Sequence, residues 1–423
     1  MRQEPIVHPA AGVGAPFKQQ TQPVPSYAWV ILGVVFLASM AAPLNQMKVP
    51  PIMPVLMAAF NLSIGSAGLL MSVFAITGLI LALPAGIIAQ RLGLKITGLI
   101  AVGSLVVGSV LGALSSSASL LLLSRVVEGL GMGLIAVVAP ASIAMWFPPE
   151  KQGTPMGIWA TWVPVGSVIM FLLAPAMAAA VGWQSIWWFG AGFALLTFVL
   201  YWIFMRMPPG LEGGHGTTAE GFPADEQPGM AEQTPGIWKA LSNRSIWLLG
   251  LVFACFNLGL GAIGNFYPTF LATERGYSMA GAALPSSLMM IVVIFFAPLA
   301  GILSDKIGSR KLVFTVPFLV VAIMMLFPFT ITGWLIPAWM ILLGVIAGAI
   351  PTAIFSAAPE IMGKPQLAGY GMAVIMLGQN LGMFLGPLIV GPLIENVGWA
   401  SAGYWMIPAL LLGLVTGWLV KVR

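Results

Sequence analysis

"GIIAQRLGLK" (Gly86–Lys95) returns 215 residues later as "GILSDKIGSR" (Gly301–Arg310). Each copy is a short basic turn with glycines, set between long apolar runs. Two further pairs stand at an offset of 216: "VGWQSIWW" (Val181–Trp188) with "VGWASAGYW" (Val397–Trp405), and "PEKQG" (Pro149–Gly153) with "PQLAG" (Pro365–Gly369). Self-similarity at a nearly fixed offset marks a duplicated structural unit. The question is what kind of unit carries such turns.

Composition answers it. The 423 residues are 59% hydrophobic and only 7% charged, against roughly 25% charged in soluble domains. So few charges cannot cover a water-soluble globule of this size, so lipid is the main solvent. The 50 glycines and 33 prolines suit transmembrane helices, where neighbours re-satisfy interrupted backbone hydrogen bonds. A spanning helix needs about 20 apolar residues. Twelve runs qualify: 27–59, 65–90, 96–116, 118–147, 154–181 and 184–206 in the first half, and 245–272, 280–304, 311–332, 334–362, 366–394 and 399–420 in the second. The expected fold is an all-α membrane protein of two six-helix bundles, over 27–206 and 245–423. Residues 207–244 contain Glu212, Glu220, Asp225, Glu226 and Glu232 among glycines and prolines. That composition packs no core and reads as a linker. Residues 1–26 are polar and proline-rich, without the pattern of a signal peptide, and read as a flexible tail.

Charge fixes the orientation. With both termini in the cytoplasm, fourteen of the lysines and arginines fall in cytoplasmic loops and tails, and only Arg275 in an outer loop. That is the positive-inside distribution of a multi-pass protein of the inner membrane. The net charge of +5 is therefore topological, and nucleic acid is not an expected partner.

The histidines, His8 and His215, lie in the tail and the linker, and Cys255 is the single cysteine. No phosphate loop, HExxH motif or nucleophile–base set occurs, so the expectation is no enzyme, no metal and no cofactor.

On these features the chain resembles the major facilitator superfamily of secondary transporters, from Tyr27 to Arg423. The loop motif after the second and eighth spans carries the likeness. Its second copy has Gly301, Asp305, Lys306, Gly308, Arg310 and Lys311, whereas its first has Gln90 in place of the acid. "SRVVEGLGMG" (Ser124–Gly133) resembles the family's fourth-span arginine motif, and the repeat position of Arg125 falls near Met340. The resemblance implies alternating access around a midplane site, a monomer, and a cytoplasmic gate latched by Arg91, Asp305 and Arg310. It leaves open that the basic loops only satisfy the positive-inside rule.

Arg125 and Glu128 are i,i+3 neighbours inside an apolar span, where ionisable groups are costly. They form either an internal ion pair or, through Glu128, a carrier of a coupling proton. Lys48 sits in "LNQMKVPPIMP" (Leu44–Pro54) with Asn45 and Gln46 beside it. Family members that move organic anions carry a basic residue in this span, although Gln46 occupies its usual register. Three placements of Lys48 stay open: facing the central cavity as an anion contact, snorkelling to the outer interface, or making a structural hydrogen bond. Further candidate lining residues are Asn257, Asn265 and Tyr267 in the seventh span, Trp159 and Trp162 in the fifth, and Gln379 and Asn380 in the eleventh. The tryptophans serve equally to pack against lipid or a helix.

The leading expectation is a transporter of a small organic or inorganic monoanion, such as a monocarboxylate, with protons as a candidate coupling ion. The alternative is an exporter of hydrophobic or weakly polar compounds, drawn from the 25 methionines and 15 tryptophans, whose side chains repack readily. A non-transporting receptor is the third.

Overall fold

The computed structural model describes residues 24–82, 84–148, 151–208, 242–363 and 365–422. Nearly all of the tail and the linker lie outside these residues, as do the side chain of Asp305, Lys364, and both histidines. The described chain is helical, with no strand among the described residues.

Among the described residues, fourteen α-helices build the spans. They are α1 (Ser26–Gln46), α2 (Met53–Phe60), α3 (Ile64–Leu81), α4 (Pro84–Ala113), α5 (Ala118–Trp146), α6 (Gly153–Ala160), α7 (Trp162–Val181), α8 (Gln184–Phe204), α9 (Arg244–Thr273), α10 (Met279–Ile307), α11 (Arg310–Met324), α12 (Leu335–Met362), α13 (Pro365–Val397) and α14 (Trp399–Leu419). α1 and α2, joined through a 3-10 turn at Pro50–Ile52, make the first span, and α6 with α7 the fifth. α4 contains the turn between the second and third spans, because Gly93 breaks it at φ 79°, ψ 158°.

Among the described residues, eleven of the expected spans are long and apolar enough to cross a membrane. The ninth is shorter than the sequence suggests. α11 ends at Met324 after 15 residues, and turns follow through residue 330. Apolarity continues past Met324, which is why the run reads longer. Those residues serve a loop that packs beneath aromatic rings rather than a helix.

The repeat seen in the sequence recurs in the backbone. Gly182 (φ 101°) and Gly398 (φ 81°) end α7 and α13 in the same left-handed region. A side chain there would be strained, so both "VGW" copies need their glycine. Gly93 and Gly308, one in each basic turn, also have positive φ.

The start of α1 and the end of α14 lie at one end of the bundle, the terminal end; Ser63 and Ser278 lie at the other, the distal end. Buried apolar residues form two clusters. One holds the terminal-end residues of the first half, among them Ala28, Ile31, Val35, Ile143 and Tyr201. The other passes without a break from the distal part of the first half (Val49, Ile52, Leu56, Trp187) into the second half. The halves are thus sealed together at the distal end. There α3 packs antiparallel along α13, α7 packs on α10, and the Pro50–Ile52 turn meets α9. Glycines let the α3–α13 backbones approach. A Cβ on Gly68 would come within 2.7 Å of the Pro387 carbonyl oxygen, and one on Gly391 within 3.0 Å of Gly65. At the rim the Gly65 N–H donates to Glu395 Oε2 across 3.2 Å, which places a carboxylate at the positive end of α3.

Candidate functional site

Pro50 and Pro51 decide the local structure at the end of α1. Proline has no N–H, so the Gln46 carbonyl loses the donor that a continuing helix would give it. α1 ends at Gln46, and the carbonyls of its last turn need other partners. Arg125 of α5 supplies them. Its Nη2 donates to Gln46 O (2.8 Å), Nη1 to Asn45 O (2.7 Å), and Nε to Leu70 O of α3 (3.1 Å). The guanidinium lies 4.6 Å from the Phe74 ring centroid. One planar cation therefore ties three spans together at a helix break.

The same Nη1 donates to Glu128 Oε2 at 2.5 Å. The other oxygen, Oε1, accepts from Lys48 Nζ (2.8 Å) and from Ser109 Oγ (2.9 Å). Lys48 Nζ also lies 2.9 Å from Ser109 Oγ, and Ser109 Oγ lies 2.7 Å from Asn45 Oδ1. The ammonium faces the Trp187 ring of α8 at 5.3 Å from its centroid. Lys48, Arg125 and Glu128 are all fully buried.

Two cations thus share one carboxylate. The excess positive charge is solvated by carbonyl dipoles and ring faces rather than by a second acid. Burying an unbalanced charge costs several kcal/mol, so the site favours a further anion. Gln46, also buried, has no hydrogen-bond partner for Oε1.

Lys48 does not snorkel: its side chain is enclosed, and its acid partner stands 80 residues away in sequence. The i,i+3 pair of Arg125 and Glu128 forms as its spacing suggests. Asn45, Gln46, Lys48, Arg125 and Glu128 come together in one network. The other candidates do not join it. Trp159 and Trp162 stack on each other (5.7 Å, 16°), and Trp159 Nε1 donates to Ser39 Oγ at 3.0 Å. Asn257 and Asn380 donate to carbonyls one turn back on their own helices, those of Phe253 and Met376. Asn380 packs against Gly78 across the seam between halves. Asn265 is buried on α9, and Gln379 is half-buried on α13. Tyr267 is enclosed among Phe270, Phe329 and Trp339, and its hydroxyl has no partner. Of the gate residues, Arg91 is exposed in its turn, Arg310 Nη1 donates to Ser304 Oγ at 2.9 Å, and the Asp305 side chain lies outside the described residues.

Ser109, Phe74, Trp187 and Gly190 were not read as site residues from the sequence. A signal existed for the first of these. Gly108 and Gly112 bracket Ser109 in a G-x-x-x-G spacing, the mark of a close helix contact. A Cβ on Gly108 would meet Glu128 Cγ at 2.6 Å.

Comparison with known proteins follows the same lines. A family model described as Major Facilitator Superfamily matches residues 35–387 and 255–423. A probable sulfoacetate transporter of Cupriavidus necator is 26% identical, over 91% of both chains. A hexuronate transporter of Bacillus subtilis is 23% identical, over 89% of this chain and 90% of that one. A probable nitrate transporter of Staphylococcus carnosus is 25% identical, over 88% and 90%. Among solved structures, an inward-facing bacterial homologue of the lysosomal transporter Spinster superposes with a TM-score of 0.75 at 18% identity, over 93% of this chain and 96% of that one. These relatives are named for transport, not for enzymatic activity.

Proposed function

Because the chain belongs to the major facilitator superfamily, we propose that it is a secondary transporter of a small monoanion, organic or inorganic, such as a monocarboxylate. It works by alternating access in the cytoplasmic membrane, as a monomer with both termini inside. Residues 207–244 link its two halves, and Arg91, Asp305 and Arg310 latch the terminal end.

The observation that carries the reading is the charge count of the buried cluster: Lys48 and Arg125 against Glu128 alone. The relatives' named cargoes support it, since sulfoacetate, nitrate and hexuronate are all anions. In this mechanism the anion competes with Glu128 Oε1 for the Lys48 ammonium. Asn45 and Gln46 add amide contacts. Once the ammonium turns to the anion, Glu128 keeps Arg125 as its cation partner, and a coupling proton is proposed to travel with the anion. No observation favours the exporter of apolar compounds, because Trp159 and Trp162 spend their faces on each other.

The test is counterflow in proteoliposomes with labelled carboxylates, sulfonates and nitrate at two pH values. At least one monoanion exchanges, and Lys48→Gln reduces that exchange more than about tenfold, the loss of one charge-assisted contact. Exchange of neutral compounds that survives Lys48→Gln contradicts the proposal. Binding without exchange identifies a receptor instead.

A further inference from the structure

We infer that Gly190 and Trp187, one turn apart on α8, are positioning residues that hold the Lys48 ammonium against Glu128. They thereby set how readily an anion takes it. The second part of this inference rests on the anion reading above; the first rests on geometry alone.

The lysine stem is flexible and its ammonium can point many ways, yet here every direction is filled. Nζ lies 2.8 Å from Glu128 Oε1 and 2.9 Å from Ser109 Oγ, and 5.3 Å from the Trp187 ring centroid. Behind it stands the bare backbone of Gly190. A Cβ there would lie 2.4 Å from Lys48 Cε, 2.6 Å from Nζ and 2.4 Å from Asn45 Oδ1. Side chains do not sustain such approaches, so any residue but glycine drives the ammonium off its carboxylate and disturbs the amide beside it.

Trp187 is held as firmly. A Cβ on Gly112 of α4 would come within 2.2 Å of both Cδ1 and Nε1 of its ring. The indole is wedged between α4 and the lysine, and its Nε1 has no hydrogen-bond partner despite full burial. That unpartnered donor marks a ring placed for its face rather than for its N–H. An indole face attracts a desolvated ammonium without presenting an acceptor that would compete with an incoming anion. α8 therefore contributes a wall, not a ligand: it fixes where the ammonium sits and leaves its charge to be claimed by Glu128 or by substrate.

The test is a double-mutant cycle read in two ways, by thermal unfolding in detergent and by anion counterflow. Gly190→Ala lowers the Tm of the otherwise wild-type chain. In a Lys48→Ala background, where the crowded stem is gone, the loss is roughly halved or less, as for residues in contact. In counterflow, Gly190→Ala raises KM about tenfold with kcat within about twofold. If Gly190→Ala does not accumulate, the tryptophan variants decide: Trp187→Phe keeps an aromatic face and raises KM about threefold, whereas Trp187→Leu raises it about tenfold. Equal Tm losses in both lysine backgrounds show a glycine needed only for helix packing and overturn the inference. So do equal effects of phenylalanine and leucine at Trp187, or a KM that a well-folded Gly190→Ala leaves unmoved. A non-additive Tm cycle in a protein that exchanges no anion retains the positioning role and overturns the anion reading instead.

Discussion

Lys48, Arg125 and Glu128 are best understood by counting charge. With all three ionised the buried site carries one excess positive charge. Lys48→Met removes the excess and leaves the Arg125–Glu128 pair intact. Glu128→Gln leaves two buried cations facing each other with no counter-charge. Breaking a buried pair from the acid side is expected to cost about 3–5 kcal/mol, and the lysine variant clearly less. Unfolding of the two variants in detergent checks the order, and equal losses would show that the site is held by shape rather than by charge. Arg125 and Glu128 were legible in the sequence as a pair, because i,i+3 spacing is a local rule. The tie from Lys48 to Glu128 was not. It joins residues 80 apart, and no periodicity within one span reports which neighbour closes on it.

Among elements, the informative one is the break after α1. The proline pair signalled an interrupted helix and unsatisfied carbonyls, and the structure shows what satisfies them. Arg125 spreads donors over Asn45, Gln46, Leu70 and Glu128. A lysine at 125 has one point charge where arginine has a planar fork, and reaches at most part of that set. Arg125→Lys is therefore expected to strand at least one buried carbonyl, at about 1–3 kcal/mol each, despite keeping the charge. Thermal unfolding of Arg125→Lys beside Lys48→Met measures it; an arginine variant no less stable than wild type would mean that water caps the break. The spans themselves were legible from apolar length, except the ninth. There hydropathy runs on through Phe327 and Phe329 while the helix stops at Met324. The reason is tertiary. Phe329 packs on Tyr267 and Phe270 of α9 and on Trp399 of α14, and its carbonyl accepts from Arg275.

At the scale of the molecule, the two halves share a backbone plan but not a chemistry. Shifted by the repeat offset of 215, Lys48, Arg125 and Glu128 correspond to Ile263, Met340 and Leu343, each fully buried. The second half fills the matching place with an apolar core, so the charge is a property of the first half alone. Meanwhile the distal seam of α3 and α13, with Glu395 on the Gly65 N–H, joins the halves, while the cluster lies among α1, α3, α4, α5 and α8 of the first half. The claim on which all of this turns is that the buried excess charge binds an anion. Binding to the folded state raises Tm, by about 2.7 kcal/mol of stability at a hundred times Kd. The deciding measurement is thermal unfolding of the wild-type protein and of Lys48→Gln, titrated with carboxylates, sulfonates and nitrate at constant ionic strength. The account predicts saturable stabilisation of the wild type by at least one monoanion, and none of the lysine variant. Equal shifts in the two proteins, or no shift with any anion, would contradict it.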